Sequence, residues 1–152
     1  MSQATRSATT RACLAALLAL AVIEGFIATV DENGNLDSSI DPVVLLVFAA
    51  LIIASVYSSG AMERLSTSAL ASSVLAFIAG LSYWTTAVAR HPGEFAVDGP
   101  LAVEIGFSAL GIAAFGTVAG VLGGVLGVGA SAVYLGGRWL HDRARSRLGT
   151  HF

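Results

Sequence analysis

Glu24 stands alone as a carboxylate inside the apolar run Ala12 to Val30 (ACLAALLALAVIEGFIATV), and an acid so placed is the residue best suited to chemistry in this chain. Nineteen residues of helix measure about 28 Å, close to a hydrocarbon core of about 30 Å. Glu24 is then expected a little beyond the middle, where an ionised group costs about 2.5 to 3.5 kcal/mol and faces the protein interior. No arginine lies within any apolar run to pair with it. Hydroxyls at similar depth come from Ser82, Thr85 and Thr86 on a later run. Glu24 with Ser82 and Thr85 is therefore the candidate buried proton or ion site. The alternative reading is one polar contact that fixes helix packing.

The remaining groups point away from catalysis. Asp31, Asn33, Asn35 and Asp37 alternate like the first half of a calcium loop, but Leu36 stands where glycine is required and Pro42 where a bidentate Glu belongs. The segment reads as a solvated polar loop. Glu104 is expected near an interface, snorkelling towards headgroups or Arg90. His91, His141 and His151 have no second ligand at metal spacing, and Cys13 is the only cysteine, so no metal site, cofactor or disulfide is expected. No nucleophile with a base can be assembled, and an enzyme is not expected. Nor is the glycine-rich GVLGGVLGVG a phosphate loop, because no Lys-Ser/Thr follows it and nothing around it reads as a strand.

These residues need elements to hold them, and composition says which. The chain has 152 residues, 55% hydrophobic and 12% charged, about half the charge of an average soluble domain. Four apolar runs predict an all-α integral membrane bundle of four crossings, at about 12–30, 42–59, 68–89 and 101–137, in a single domain. Pro42 suits a first helical turn, and Ser66 or Thr67 is expected to cap the third helix. Asp98-Gly99-Pro100 is expected to start the fourth. Tyr83 and Trp84 are expected at one water interface, Tyr134 and Trp139 at the other.

Leu101 to Gly137 holds ten of the seventeen glycines and would measure roughly 55 Å as one helix. It must tilt, project or fold back as a hairpin. Turning about 100° per residue places Gly106, Ala109, Ala113, Gly116, Gly120, Gly123, Gly124, Gly127 and Ser131 in one narrow stripe. In lipid such a stripe lets another helix approach closely, from the same chain or from a second copy. Ser72, Ala76 and Gly80 form a shorter stripe on the third run.

Four crossings with a cytoplasmic N-terminus put seven of the eight arginines inside, and Arg90 alone outside. Asp31, Glu32, Asp37, Asp41, Glu94 and Asp98 fall outside. This is the positive-inside pattern, and it predicts N- and C-termini in the cytoplasm of a cell-membrane protein. A hairpin in the last run would export the four C-terminal arginines. The tail 138–152 carries Arg138, Arg143, Arg145 and Arg147, a basic segment that faces anionic lipid. With little aromatic interleaving it is a weak signal for nucleic acid.

The expected partners are thus the bilayer and either a second copy or another membrane protein. The expected role is structural or scaffolding, packing or self-associating through the glycine stripe. A small proton or ion carrier or channel using Glu24 is the rival from a different class. The layout of four crossings, both ends inside and very small loops is similar to the internal membrane proteins of pleomorphic viruses of salt-loving archaea. That resemblance implies a virion or envelope membrane protein and transfers no residue role.

Overall fold

The computed structural model describes residues 3–33, 36–37, 41–92 and 101–148. Four helices dominate these residues: α1 (Gln3–Ile27), α2 (Pro42–Ser59), α3 (Leu65–Arg90) and α4 (Leu101–Leu148). Each contains a stretch long and apolar enough to cross a membrane. Among the described residues the fold is therefore all-helical apart from one small ribbon. Residues 93–100, including the expected Asp98-Gly99-Pro100 start signal, and Asn35 and His151 lie outside the described residues.

α1 begins nine residues before the expected crossing. Its first two turns carry Thr5, Arg6 and Ser7, all exposed, and continue the apolar helix outward. Between α1 and α2 the acidic segment closes as an antiparallel ribbon of β1 (Thr29–Val30) and β2 (Leu36–Asp37), pairing Thr29 with Asp37 and Val30 with Leu36. The Asn33 N–H donates to Asp31 Oδ1 at 3.0 Å, a local turn bond that uses an oxygen the calcium-loop pattern would need for metal.

Asp41 and Pro42 start α2 together. The Asp41 carboxylate accepts the Val43 N–H at 2.8 Å, and Pro42 fills the first turn where its missing donor costs nothing. Gly60 ends the helix in the left-handed region at φ 80°, its N–H returning to the Tyr57 carbonyl at 3.1 Å. A side chain there would cost roughly 1–2 kcal/mol, so the sharp stop belongs to glycine. A single 3₁₀ turn, Ala61–Glu63, follows.

The cap expected at Ser66 or Thr67 is not formed. Helix α3 starts upstream, with extended Arg64 in the cap position and no side-chain bond. The early stop at Gly60 and the 3₁₀ turn deliver the chain one turn sooner, and the Ser68 N–H already bonds the Arg64 carbonyl.

α3 is the hub. It packs against α1 on one side and along α4 on another, while α2 lies mainly on α1 and touches α4 only lightly. Leu17 and Ala21 of α1, Ile52 and Val56 of α2, and Ala76, Ala79, Tyr83 and Ala87 of α3 form the core with Met62. Large apolar side chains cover the outside. Leu46 and Leu110 are each 70% exposed, an arrangement suited to lipid and costly in water.

α4 is unbroken for 48 residues, about 72 Å. There is no hairpin at Gly123-Gly124, and the basic tail to Leu148 continues the helix. The four helices alternate in direction, so Gln3, the Gly60–Arg64 turn and Leu148 share an arginine-rich end. The β ribbon and His91 share an acidic end.

Candidate functional site

Three features bear on function: the surroundings of Glu24, the seam between α3 and α4, and the arginine-rich end.

Depth in the bundle follows from one contact. Thr10 Oγ1 of α1 lies 2.9 Å from Ser58 Oγ of α2, so these residues are level, and the midpoint of α2 falls opposite Leu17 and Leu18. Glu24 is then about 10 Å from the midplane and one turn from the end of α1 at Ile27. It lies nearer the acidic end than its position in the apolar run suggested, because α1 stops at Ile27, three residues short of the end of that run.

The packed line of α1 is Leu17, Ala21 and Gly25. Glu24 is half-buried on the flank of that line. Beside it, Gly25 lies against α3 so closely that an added Cβ would collide with the Tyr83 carbonyl and come within 2.9 Å of Thr86 Cβ. The expected hydroxyl partners are nearby but differently engaged. Ser82 Oγ donates to the Ile78 carbonyl at 2.9 Å, Thr86 Oγ1 donates to the Ser82 carbonyl at 2.7 Å, and Thr85 is exposed. The structure thus brings α1 and α3 together at this depth without a hydrogen bond from Glu24 to Ser82 or Thr85.

Along the seam, Gly116, Gly120, Gly123, Gly127 and Ser131 are buried. Their spacing of four, three, four and four residues keeps one face towards α3. An added Cβ at Gly123 would collide with Ala76 and lie 2.6 Å from the Ser72 carbonyl; at Gly127 it would collide with Ser72 Oγ and lie 2.6 Å from the Ser68 carbonyl. Gly124 sits on the flank, its nearest α3 atom 3.7 Å from such a Cβ. Gly106 meets nothing within 4 Å, so α4 has left the surface of α3 by that point. At Gly111, outside the expected stripe, a Cβ would instead meet the Trp84 ring at 3.4 Å.

Tyr83 and Trp84 have a packing role inside the bundle that the sequence reading did not assign. Both stack on Phe115, with centroids 5.5 and 5.1 Å away, and Tyr83 is buried. They wedge α3 against α4, filling the gap that opens where the glycines give out. Tyr134 meets Tyr57 edge-on at 5.8 Å, whereas Trp139 is exposed beneath the Arg143 guanidinium.

The hydrogen bonds by which serines tie helices are what the sequence reading passed over. Ser68 Oγ donates to the Gly127 carbonyl and Ser131 Oγ to the Met62 carbonyl, both at 2.8 Å and fully buried. Their signal was in the sequence: Ser68 lies four residues before Ser72 on the α3 stripe, and Ser131 four after Gly127. At the acidic end His91 Nε2 lies 3.0 Å from the Ala28 carbonyl, joining the ends of α1 and α3, and Arg90 covers the Phe26 ring at 4.7 Å.

Beyond Tyr134, α4 continues for fourteen residues, about 21 Å, carrying Arg138, Arg143, Arg145 and Arg147. Arg138, Arg143 and Arg145 are exposed. Among the described residues no three of His, Cys, Asp and Glu gather as a metal site.

Fold and site together define a four-helix bundle of membrane-spanning dimensions, joined by small residues and serine bonds. No protein-family model, curated protein or solved structure matches the chain.

Proposed function

We propose that the chain is a non-catalytic, multi-pass cell-membrane protein of structural or interaction type, with both termini in the cytoplasm. The observation that carries this reading is the use of Ser68 and Ser131, whose buried hydroxyls tie helices together rather than lining a polar cavity. The grooves between α2 and α4 are lined by apolar side chains, a surface for lipid and not for a polar substrate. The glycine stripe serves packing within the chain, since α3 already covers Gly116 to Gly127. Copies that associate would meet on other faces.

Orientation rests on charge. Arg6, Arg11, Arg64, Arg138, Arg143, Arg145 and Arg147 all lie towards the arginine-rich end, which the positive-inside rule assigns to the cytoplasm. In a Cys13→Ser background, Arg145→Cys should react with an impermeant maleimide only after the membrane is opened, and Asn33→Cys in intact cells. Labelling in the reverse order would invert the assignment.

The rival reading, an ion pathway through Glu24, rests on its half-buried position at the depth where α1 meets α3 beside Ser82 and Thr86. Proteoliposomes holding the protein are expected to show proton and cation leak equal to protein-free vesicles, with Glu24→Gln making no difference. Flux above that background that Glu24→Gln abolishes would replace the structural reading with a carrier or channel.

A further inference from the structure

Helices α2 and α4 stand apart along much of their length, and two clefts of about 420 and 470 Å³ lie between them. Leu126 lines both, so the clefts adjoin at that side chain as two parts of an apolar groove open along one side. Its walls are Leu45, Phe48 and Ile52 of α2 in the upper part; Tyr57, Gly129 and Tyr134 stand at its lower mouth.

From Leu45 to Tyr57 the groove runs about 18 Å, slightly more than the roughly 15 Å acyl depth of one leaflet. The midpoint of α2 falls between Ala50 and Leu51, so the upper cleft straddles it and the lower cleft, which Ile53, Tyr57, Gly129 and Tyr134 line, lies in the half of the bundle that ends at the arginines. Arg138 follows Tyr134 by four residues, which puts it on the same face of α4 one turn beyond the mouth. Arg64 follows Met62, another lining residue, by two, and both arginines are exposed with no acidic partner among the described residues. Glu63 is the one nearby acid in the turn, and it too is exposed.

We propose that this groove is the seat of one anionic phospholipid, its acyl chain lying between α2 and α4 and its phosphate held by Arg138 and Arg64. The lower cleft takes its chain from the leaflet on the arginine-rich side, and the charge at its mouth selects an anionic head over a zwitterionic one. A second copy's helix is less suited, because such a helix would bring its own apolar length past the mouth and leave the two arginines uncompensated. The inference needs the chain to span a membrane. It does not need the structural role proposed above.

The test uses the full chain in lipid nanodiscs and detergent micelles. Native mass spectrometry should find one phosphatidylglycerol retained per chain, bound about 30-fold more tightly than phosphatidylcholine with the same acyl chains, as two arginines near a phosphate imply. Arg64→Gln with Arg138→Gln should bring phosphatidylglycerol down to the phosphatidylcholine level and leave phosphatidylcholine unchanged. Gly129→Leu should weaken both lipids by tenfold or more, since Gly129 lines the lower cleft and nothing within 4 Å of an added Cβ keeps a leucine side chain from occupying it. Circular dichroism of each variant checks that the helices persist.

Equal affinity for the two lipids, or unchanged phosphatidylglycerol binding in Gly129→Leu, overturns the proposal. So does a dimer that excludes both lipids. A chain that will not enter nanodiscs but stays monomeric without detergent overturns the membrane reading itself, a distinguishable failure.

Discussion

Gly123→Val should release α4 from α3 and lower the stability of the bundle by about 3 kcal/mol, the upper end of the usual overpacking cost. At this position the incoming methyl groups meet the Ala76 side chain and the Ser72 backbone, and backbone of a helix cannot step aside as a flexible side chain can. Gly116 is different, because its nearest neighbours are the Leu81 and Phe77 side chains. Alanine at Gly116 should cost less than alanine at Gly123.

Gly136 supplies the control. It lies on the same helix with nothing within 4 Å of an added Cβ, so Gly136→Ala should be neutral or gain up to about 1 kcal/mol from helix propensity. Thermal unfolding in detergent, followed by circular dichroism and by protease cleavage within α4, reads both effects. A Gly123→Val protein that melts with the wild type would show that α4 does not rest on α3 through this seam.

The existence of four helices was legible because each apolar run is long and lipid-compatible on nearly every face. Pro42 marked the start of α2 for the same local reason that holds in the structure, while the Asp41 cap and the Gly60 stop were not read from the sequence. Less legible was where helices continue past the apolar runs. Gln3 to Arg11 and Arg138 to Leu148 are polar but helix-compatible, so hydropathy ends before the hydrogen-bond ladder does. The α3 start at Leu65 also escaped, because it follows from the 3₁₀ turn and not from a capping side chain.

The glycine stripe was legible as a face, since 3.6-residue periodicity is local. How far the face is used was not, because that depends on the point where α4 leaves α3, between Gly106 and Gly111. The packing of Tyr83 and Trp84 was hidden for a related reason. Aromatics near a helix end carry an interfacial preference, but Phe115 on α4 offered them a stacking partner that only the antiparallel register of α3 and α4 reveals. Glu24 was legible as the one acid in its apolar run. Its depth needed the Thr10–Ser58 contact, and the helix-bound hydroxyls of Ser82 and Thr86 needed the structure itself.

Gly25→Val should disrupt the other side of the hub, parting α1 from α3 at a cost again near ~3 kcal/mol. Its Cβ is aimed at the Tyr83 carbonyl, and Thr86 Cβ 2.9 Å away closes the second direction of escape. The contact on α3 at Tyr83 is seven residues, about 10 Å, from the Ala76 contact that Gly123 makes. Sites so separated are expected to add within about 0.5 kcal/mol, so the double variant Gly25→Val with Gly123→Val should lose close to the sum. A loss well short of the sum would mean that α1 and α4 part from α3 in one step. Glu24→Gln isolates the chemistry from the packing: it changes the neighbouring residue without touching the α1 contact line, and its stability should stay near the wild type. Were Glu24→Gln instead to melt as early as Gly25→Val, the carboxylate and not the glycine would be what holds α1 in place.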